Sequence, residues 1–254
     1  MTKQKKKYII ANWKMKLSQA ESLTLAKEVK RKYRDSGQAE LVLCPTATAL
    51  AEVGKILAGS KIKLGAQNIF YHDSGAYTGQ ISPKVAREIG CEYAIIGHSE
   101  RRKLGETDED VNRKVEAALK NNLIPIVCVG ETFREYEEKK TEVVIIGQVT
   151  RALEDISLKE GQKIIIAYEP VWVIGSGQAV DHGIFQHIVQ IIVHTAVEMG
   201  AELADKFEVI YGGSVDEENV RDFIVGNIST GVIVGNNSLE AGKLIKIVEN
   251  INEL

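Results

Sequence analysis

The chain has few of the residues that break or staple structure. It carries 4 prolines in 254 residues, and no Ser/Gly/Pro-rich or low-complexity stretch marks a linker. A single domain over residues 1–254 is the expectation. Cys44, Cys91 and Cys128 are an odd number, at spacings that match no zinc or disulfide pattern. Each lies in or beside an apolar run, which reads as a buried thiol in a reducing cytoplasm. No apolar run reaches the roughly 18 residues of a membrane span. The lysines near the N-terminus precede no signal-peptide core, because Asn12, Trp13 and Lys14 cut the first apolar run short. A net charge of −3 argues against a nucleic-acid role driven by general electrostatics. There is neither a cluster of metal-ligating side chains nor a nucleotide-binding glycine fingerprint. The expected chemistry therefore uses no metal and no cofactor.

What the chain does have is 44% hydrophobic residues in a regular order. Eight short apolar runs each end in polar residues or glycine. They are Tyr8 to Ala11, Leu41 to Cys44, Ile62 to Ala66, Tyr93 to Gly97, Ile124 to Val129, Ile164 to Tyr168, Phe207 to Tyr211 and Gly231 to Val234. Helical patterns lie between runs, for example Glu21 to Tyr33, Thr107 to Asn121, Ile184 to Met199 and Leu239 to Asn250. Strands alternating with helices imply a parallel sheet. Eight such units in about 250 residues predict a closed (β/α)8 barrel, with the active site at the carboxyl ends of the strands.

The residues at those ends carry chemistry. The sixth run ends on Glu169, followed at once by Pro170 and the apolar segment Val171 to Ile174. A carboxylate shielded from water is a stronger base than one in bulk solvent. His98 ends the fourth run, where a following helix N-terminus would disfavour an imidazolium and leave a neutral hydrogen-bond donor. Lys14 ends the first run as a candidate cation. Asn12 would point to the same side if the backbone stays extended. Taken singly, each has a plain reading: a solvated strand-end glutamate, a structural histidine, a surface lysine.

Three glycine-bearing turns join them: Gly175-Ser176-Gly177, Gly212-Gly213-Ser214 and Gly235-Asn236. Glycine lets backbone N–H groups approach an anion, and the last two turns follow the seventh and eighth strands, where barrels commonly bind phosphate. A base, a neutral electrophile, a cation and a phosphate cradle suggest proton transfer beside a carbonyl. The substrate would be a small phosphorylated hydroxy-carbonyl compound.

Four segments make this specific: Ala11-Asn12-Trp13-Lys14-Met15, Gly97-His98-Ser99-Glu100-Arg101-Arg102, Ala167 to Gly177, and Tyr211-Gly212-Gly213-Ser214-Val215. They resemble the triosephosphate isomerase family, in order and across the chain. A glutamate base beside a neutral histidine, under a closing loop, is already established for that family. The resemblance implies interconversion of dihydroxyacetone phosphate and glyceraldehyde 3-phosphate in glycolysis and gluconeogenesis. Glu169 would move the proton and His98 would polarise the carbonyl. Lys14 and Asn12 would steady the enediolate, and Glu100 would support them. Phosphate would rest on amides of Gly175, Ser214, Gly235 and Asn236. A lid of Pro170, Val171, Trp172, Val173, Ile174, Gly175, Ser176 and Gly177, reaching toward Gln178, would close over it. The long segment Asn68 to Gln80 displays Ile69, Phe70, Tyr71 and Tyr77, and the resemblance makes it a dimer loop whose Thr78 braces the partner's site. The expected partners are a triose phosphate and a second copy of the chain, with no nucleic acid or membrane.

The chain departs from the family pattern in places. Val173 stands where alanine is usual, Ser176 where threonine is, and Gln178 where lysine is. Gln80 replaces a glutamate, and Asn236 replaces the second glycine after the eighth strand. Two other functions stay open on these departures: a sister isomerase for a longer phosphorylated ketose, and a barrel that binds phosphorylated metabolites without turnover.

Overall fold

The structure is a computed structural model that describes residues 6–173, 179–200, 206–224, 226 and 229–254. Eight parallel strands pair in chain order, and the last pairs with the first. They are β1 (Lys7–Asn12), β2 (Ala39–Cys44), β3 (Lys63–Ala66), β4 (Cys91–Ile96), β5 (Ile124–Val129), β6 (Ile164–Tyr168), β7 (Phe207–Tyr211) and β8 (Gly231–Val234). This closed (β/α)8 barrel is the architecture the apolar runs predict. β5 to β8 match their runs residue for residue. β1 extends to include Asn12. β4 stops at Ile96, because Gly97 turns to φ 71° and leaves the extended region.

Between strands lie α1 (Gln19–Lys32), α2 (Leu50–Leu57), α3 (Pro83–Glu88), α4 (Ser99–Lys103), α5 (Asp108–Lys120), α6 (Phe133–Glu137), α7 (Thr141–Leu153), α8 (His182–Met199) and α9 (Ala241–Asn252). Reciprocal caps start three of them: Ser18 with Glu21, Thr107 with Asp110, and Thr132 with Glu135. Each pair satisfies two backbone N–H groups that a helix start leaves open. After β7 only a 3₁₀ turn forms, Val220–Phe223. The Asp216 carboxylate holds the N–H groups of Glu218 and Asn219 there, an alternative to helical pairing. After β8 another 3₁₀ turn, Asn236–Leu239, precedes α9, so the helix starts two residues later than its apolar pattern.

Strand side chains alternate, and the alternation sorts the core into two layers. Tyr8, Ile10, Ile165, Ala167, Ile210 and Ile233 belong to the barrel interior. Ile9, Ala11, Leu41, Leu43, Ile164 and Ile166 pack outward under the helices. Burying one such isoleucine contributes about 1.5–3 kcal/mol. At the amino-terminal end of the barrel, the Tyr93 hydroxyl donates to Glu40 and the Lys163 ammonium meets the Tyr8 hydroxyl. The other end stays open. The next inward position above Ile10 is Asn12, and the next above Ala167 is Glu169.

Candidate active site

The β6 ladder continues one residue past its strand. Glu169 N–H donates to Val129 O at 2.7 Å, and Gly212 N–H donates to Tyr168 O at 2.8 Å. These bonds carry the Glu169 side chain inward, where the residue is 2% exposed. Two glycines make room for it. A Cβ on Gly130 would lie 1.8 Å from Glu169 O, and one on Gly212 would lie 2.6 Å from Glu169 Cγ. Gly212, expected only in the phosphate turn, therefore also clears the space beside the base. Below the carboxylate lies Cys128. Burial pushes its thiol far up, and the Glu169 charge adds to that.

His98 caps α4. Its Nδ1 accepts the Glu100 N–H at 3.1 Å, so the neutral ring carries its proton on Nε2. Nε2 lies 3.4 Å from Glu169 Oε1, and Glu169 Oε2 accepts the Ser99 N–H at 3.4 Å. Behind the histidine, charged side chains clamp the Gly97 peptide. Gly97 N–H donates to Glu106 Oε1 at 2.9 Å, and Gly97 O accepts from Arg102 Nε at 2.8 Å. The Glu106 side chain is 2% exposed, and its other oxygen accepts from Lys114 Nζ at 2.6 Å and Arg101 Nε at 3.1 Å. Lys114 Nζ also donates to Asn68 Oδ1 at 2.8 Å. Burial pulls the Lys114 ammonium down, against the opposing pull of Glu106.

The first strand end corrects the sequence-based picture. The backbone does not stay extended from Asn12 to Lys14, because Lys14 sits at φ 52°. A side chain in that region costs energy unless its surroundings fix it. Two bonds do so. Lys14 N–H donates to Asn12 Oδ1 at 3.1 Å, and Gln67 Nε2 donates to Lys14 O at 2.8 Å. Gln67 Nε2 also reaches Cys44 O at 2.9 Å, which ties β1, β2 and β3 together. The turn still brings Lys14 into the cavity with Asn12, and Lys14 Nζ pairs with Glu100 Oε1 at 2.9 Å. Burial alone would push the Glu100 carboxyl up. The Lys14 ammonium outweighs it and holds the group below the usual carboxylate range. Glu100 itself lies outside the cavity lining, behind Lys14 and His98.

The cavity has a volume of about 290 Å³, at the small end for ligand pockets. Asn12, Lys14, His98 and Glu169 line it together with Ser214, Gly235, Asn236 and Asn237. The N–H groups of those last four donate to no described residue. The carbonyls of the same turns are engaged. Ser214 O accepts from Asn219 Nδ2, Val215 O from Asn237 Nδ2, and Gly235 O from the Ser238 hydroxyl. With their carbonyls occupied, these turns leave unpaired donors at the mouth, an arrangement suited to an anion. No cluster of metal-ligating groups occurs among the described residues.

Only the first part of the expected lid is described. Val171 N–H donates to Glu131 O at 3.1 Å, and Trp172 Nε1 donates to Glu131 Oε1 at 2.8 Å. The Trp172 ring stacks on Tyr136 with centroids 4.3 Å apart. Val173 follows Pro170 in a tight turn and is 1% exposed. Glu131 is fully buried, with the Tyr168 hydroxyl 3.3 Å from both its oxygens. Burial raises its carboxyl above the usual range, despite the donors. The expected lid residues Ile174, Gly175, Ser176 and Gly177, with Gln178, lie outside the described residues. Beyond them, Val180 N–H donates to the Tyr211 hydroxyl at 3.1 Å.

The segment after β3 also needs correction. Ile69 is not displayed; it is fully buried in the core. Phe70, Tyr71, His72 and Tyr77 form an aromatic cluster, with Arg113 over the Tyr71 ring at 3.6 Å. Tyr77 and Thr78 are exposed. Four residues of the site carry no functional expectation from sequence: Gln67, Glu106, Glu131 and Asn237. Gln67 and Glu131 end or follow apolar runs, the signal used for the others. Asn237 follows the eighth run in the same way, but its partner Val215 lies 22 residues away. Glu106 follows no run, and its partners Gly97, Arg101 and Lys114 lie within nine residues in a turn that no apolar pattern marks.

A buried carboxylate beside an imidazole, at the carboxyl end of a (β/α)8 barrel and above unpaired amides, defines an acid–base enzyme. Comparison with known proteins narrows the class. The triosephosphate isomerase family profile matches residues 7–251. A triosephosphate isomerase of Thermoanaerobacter sp. (strain X514) is 42% identical over 242 residues, 94% of this chain and 97% of that protein. One from Clostridium botulinum (strain ATCC 19397 / Type A) is 43% identical over 242 residues, with the same coverage of 94% and 97%. The crystal structure of the Bartonella henselae triosephosphate isomerase superposes with a TM-score of 0.85 at 32% identity, covering 97% of this chain and 99% of that one. The chain belongs to the triosephosphate isomerase family and is an isomerase.

Proposed function

We propose that this cavity interconverts dihydroxyacetone phosphate and D-glyceraldehyde 3-phosphate through an enediolate. The supporting observation is the convergence of Glu169 and His98, 3.4 Å apart, in one cavity with Lys14 and the unpaired amides of Ser214, Gly235 and Asn236. Glu169 takes a proton from C1 of the ketose and returns it at C2. The His98 Nε2–H polarises the carbonyl while the negative charge develops on oxygen. Asn12 and Lys14 stabilise that charge, and Glu100 positions Lys14. The phosphate rests on the amides of Ser214, Gly235 and Asn236, with Gly175 completing the set when the lid closes. Closure excludes water and prevents loss of phosphate from the exposed enediolate.

The reaction belongs to glycolysis and gluconeogenesis and places the enzyme in the cytoplasm. The working unit is a single-domain homodimer. Exposed Met15, Tyr77, Val85 and Leu104 supply the apolar contact surface, and Thr78 reaches the partner. The small cavity favours a three-carbon substrate over a longer ketose phosphate. A barrel that only binds phosphorylated metabolites has no use for the acid–base pair.

The test is turnover of glyceraldehyde 3-phosphate without added metal or cofactor, followed through a coupled dehydrogenase. Glu169→Gln should lower kcat by about 10²–10⁴-fold. A variant at near-full activity, or faster turnover of a four-carbon sugar phosphate, would overturn the reading.

A further inference from the structure

The turn after β8 places two asparagines in succession at the cavity, and their side chains differ in one respect. Asn237 Nδ2 donates to Val215 O at 2.7 Å, which straps the β8 turn to the β7 turn. The Asn236 side chain hydrogen-bonds to no described residue, is exposed, and lines the cavity. A Cβ on the preceding Gly235 would stand 3.7 Å from Lys14 Cε, so this turn lies against the cation of the site. The neighbouring backbone N–H groups likewise donate to no described residue. A free carboxamide beside a lysine and four open amides has the chemistry of an anion ligand.

We propose that the Asn236 side-chain amide is a further phosphate ligand, and that Asn237 is the positioning residue that holds it there. The inference rests on the isomerase reading only in taking the ligand to be a phosphomonoester dianion. The backbone cradle needs no side chain at position 236. The asparagine adds a donor, supplied by its Nδ2, that glycine cannot offer. The Asn237 strap fixes the spacing of the two turns, so that Ser214 and Asn236 address the same group. Lost pre-organisation then weakens binding without removing any direct contact.

The experiment compares wild type with Asn236→Ala, Asn236→Gly and Asn237→Ala in the full chain. Two quantities are read: inhibition by inorganic phosphate, and the ratio of kcat/KM for glyceraldehyde 3-phosphate to that for unphosphorylated glyceraldehyde. Each Asn236 variant should weaken phosphate inhibition about tenfold, the scale of one hydrogen bond to a charged group. The kcat/KM ratio should fall by a similar factor, a split that a general folding defect would not produce. Asn236→Asp should weaken phosphate binding further, because like charges repel. Asn237→Ala should raise KM with a smaller change in kcat. Phosphate inhibition within twofold of wild type in both Asn236→Ala and Asn236→Gly would overturn the proposal. If the wild type turns over no triose phosphate, the isomerase reading fails separately. Binding of inorganic phosphate by calorimetry then decides, with the same tenfold loss expected for Asn236→Ala and equal affinities refuting it.

Discussion

Breaking the buried pair of Glu106 and Lys114 should damage stability and chemistry together. Lys114 is 3% exposed, and the Glu106 side chain is 2% exposed. Substituting Lys114 by methionine leaves a carboxylate buried with only Arg101 and the Gly97 N–H as donors. Removing one partner of a buried pair costs about 3–5 kcal/mol, and with Arg101 still on the carboxylate the lower end of that range applies. At about 2–4 °C per kcal/mol for a chain of this size, the melting temperature should drop by roughly 10 °C. Replacing Glu106 by glutamine strands the ammonium instead, at a similar cost, and loosens the Gly97 peptide. His98 follows that peptide directly. A displacement near 1 Å there should lower kcat by about 10²-fold. The double variant Glu106→Gln/Lys114→Met removes both charges, so it should be more stable than the sum of the single losses by at least about 1 kcal/mol. Urea unfolding of the four proteins, with kcat measured on each, supplies the cycle. Additive losses, or a Lys114→Met cost below about 1 kcal/mol, would refute the reasoning.

Glu131 gives a pH signature. Its folded pKa is raised, so the folded state binds a proton that the unfolded state has already released. The resulting stability cost is absent below the unfolded value near 4.3 and fully present above the raised folded value. Glu131→Gln keeps an acceptor for Trp172. It should gain stability over wild type as pH rises through that window, and a gap independent of pH in urea midpoints would count against this. The thiols should resist labelling at pH 8 in the native protein, because burial pushes Cys91 to about 12 and Cys44 and Cys128 further up. All three should react in denaturant, and rapid native labelling would contradict their burial. Tyr77→Asp should shift sedimentation from dimer to monomer, and an unchanged mass would argue against the aromatic loop as the contact surface.

The barrel was legible in sequence because its strands are short, unbroken apolar runs. Residues such as Ile164 to Tyr168 are buried on both faces and leave a continuous signal. Helix starts were less clear in the apolar pattern, which begins at Glu21. The reciprocal cap of Ser18 and Glu21 sets the start at Gln19. Glu169 and Asn12 were legible because strand alternation carries them inward. Lys14 reaches the cavity through a turned backbone rather than by strand alternation, and that turn depends on Gln67, more than fifty residues away. Glu106 and Asn237 show the limit. Asn237 acts through a contact to Val215, 22 residues away, and Glu106 through a turn between β4 and α5 that carries no apolar periodicity, so no hydrophobic pattern records either.

The shared alternation of core and site has a consequence for how this sequence can change length. Ile10 and Asn12 occupy one face of β1, and Ala167 and Glu169 continue one face at the end of β6. One residue inserted between the members of either pair would turn the polar group toward the helices while the residues below kept their places. Insertions should therefore be tolerated at loop tips and rejected within a strand or at its carboxyl end. Substitution at Ile10 or Ala167 leaves the phase intact, so the interior can be rewritten residue by residue while the spacing to Asn12 and Glu169 stays fixed. Substitutions in this chain should then be better tolerated than insertions or deletions along its strands.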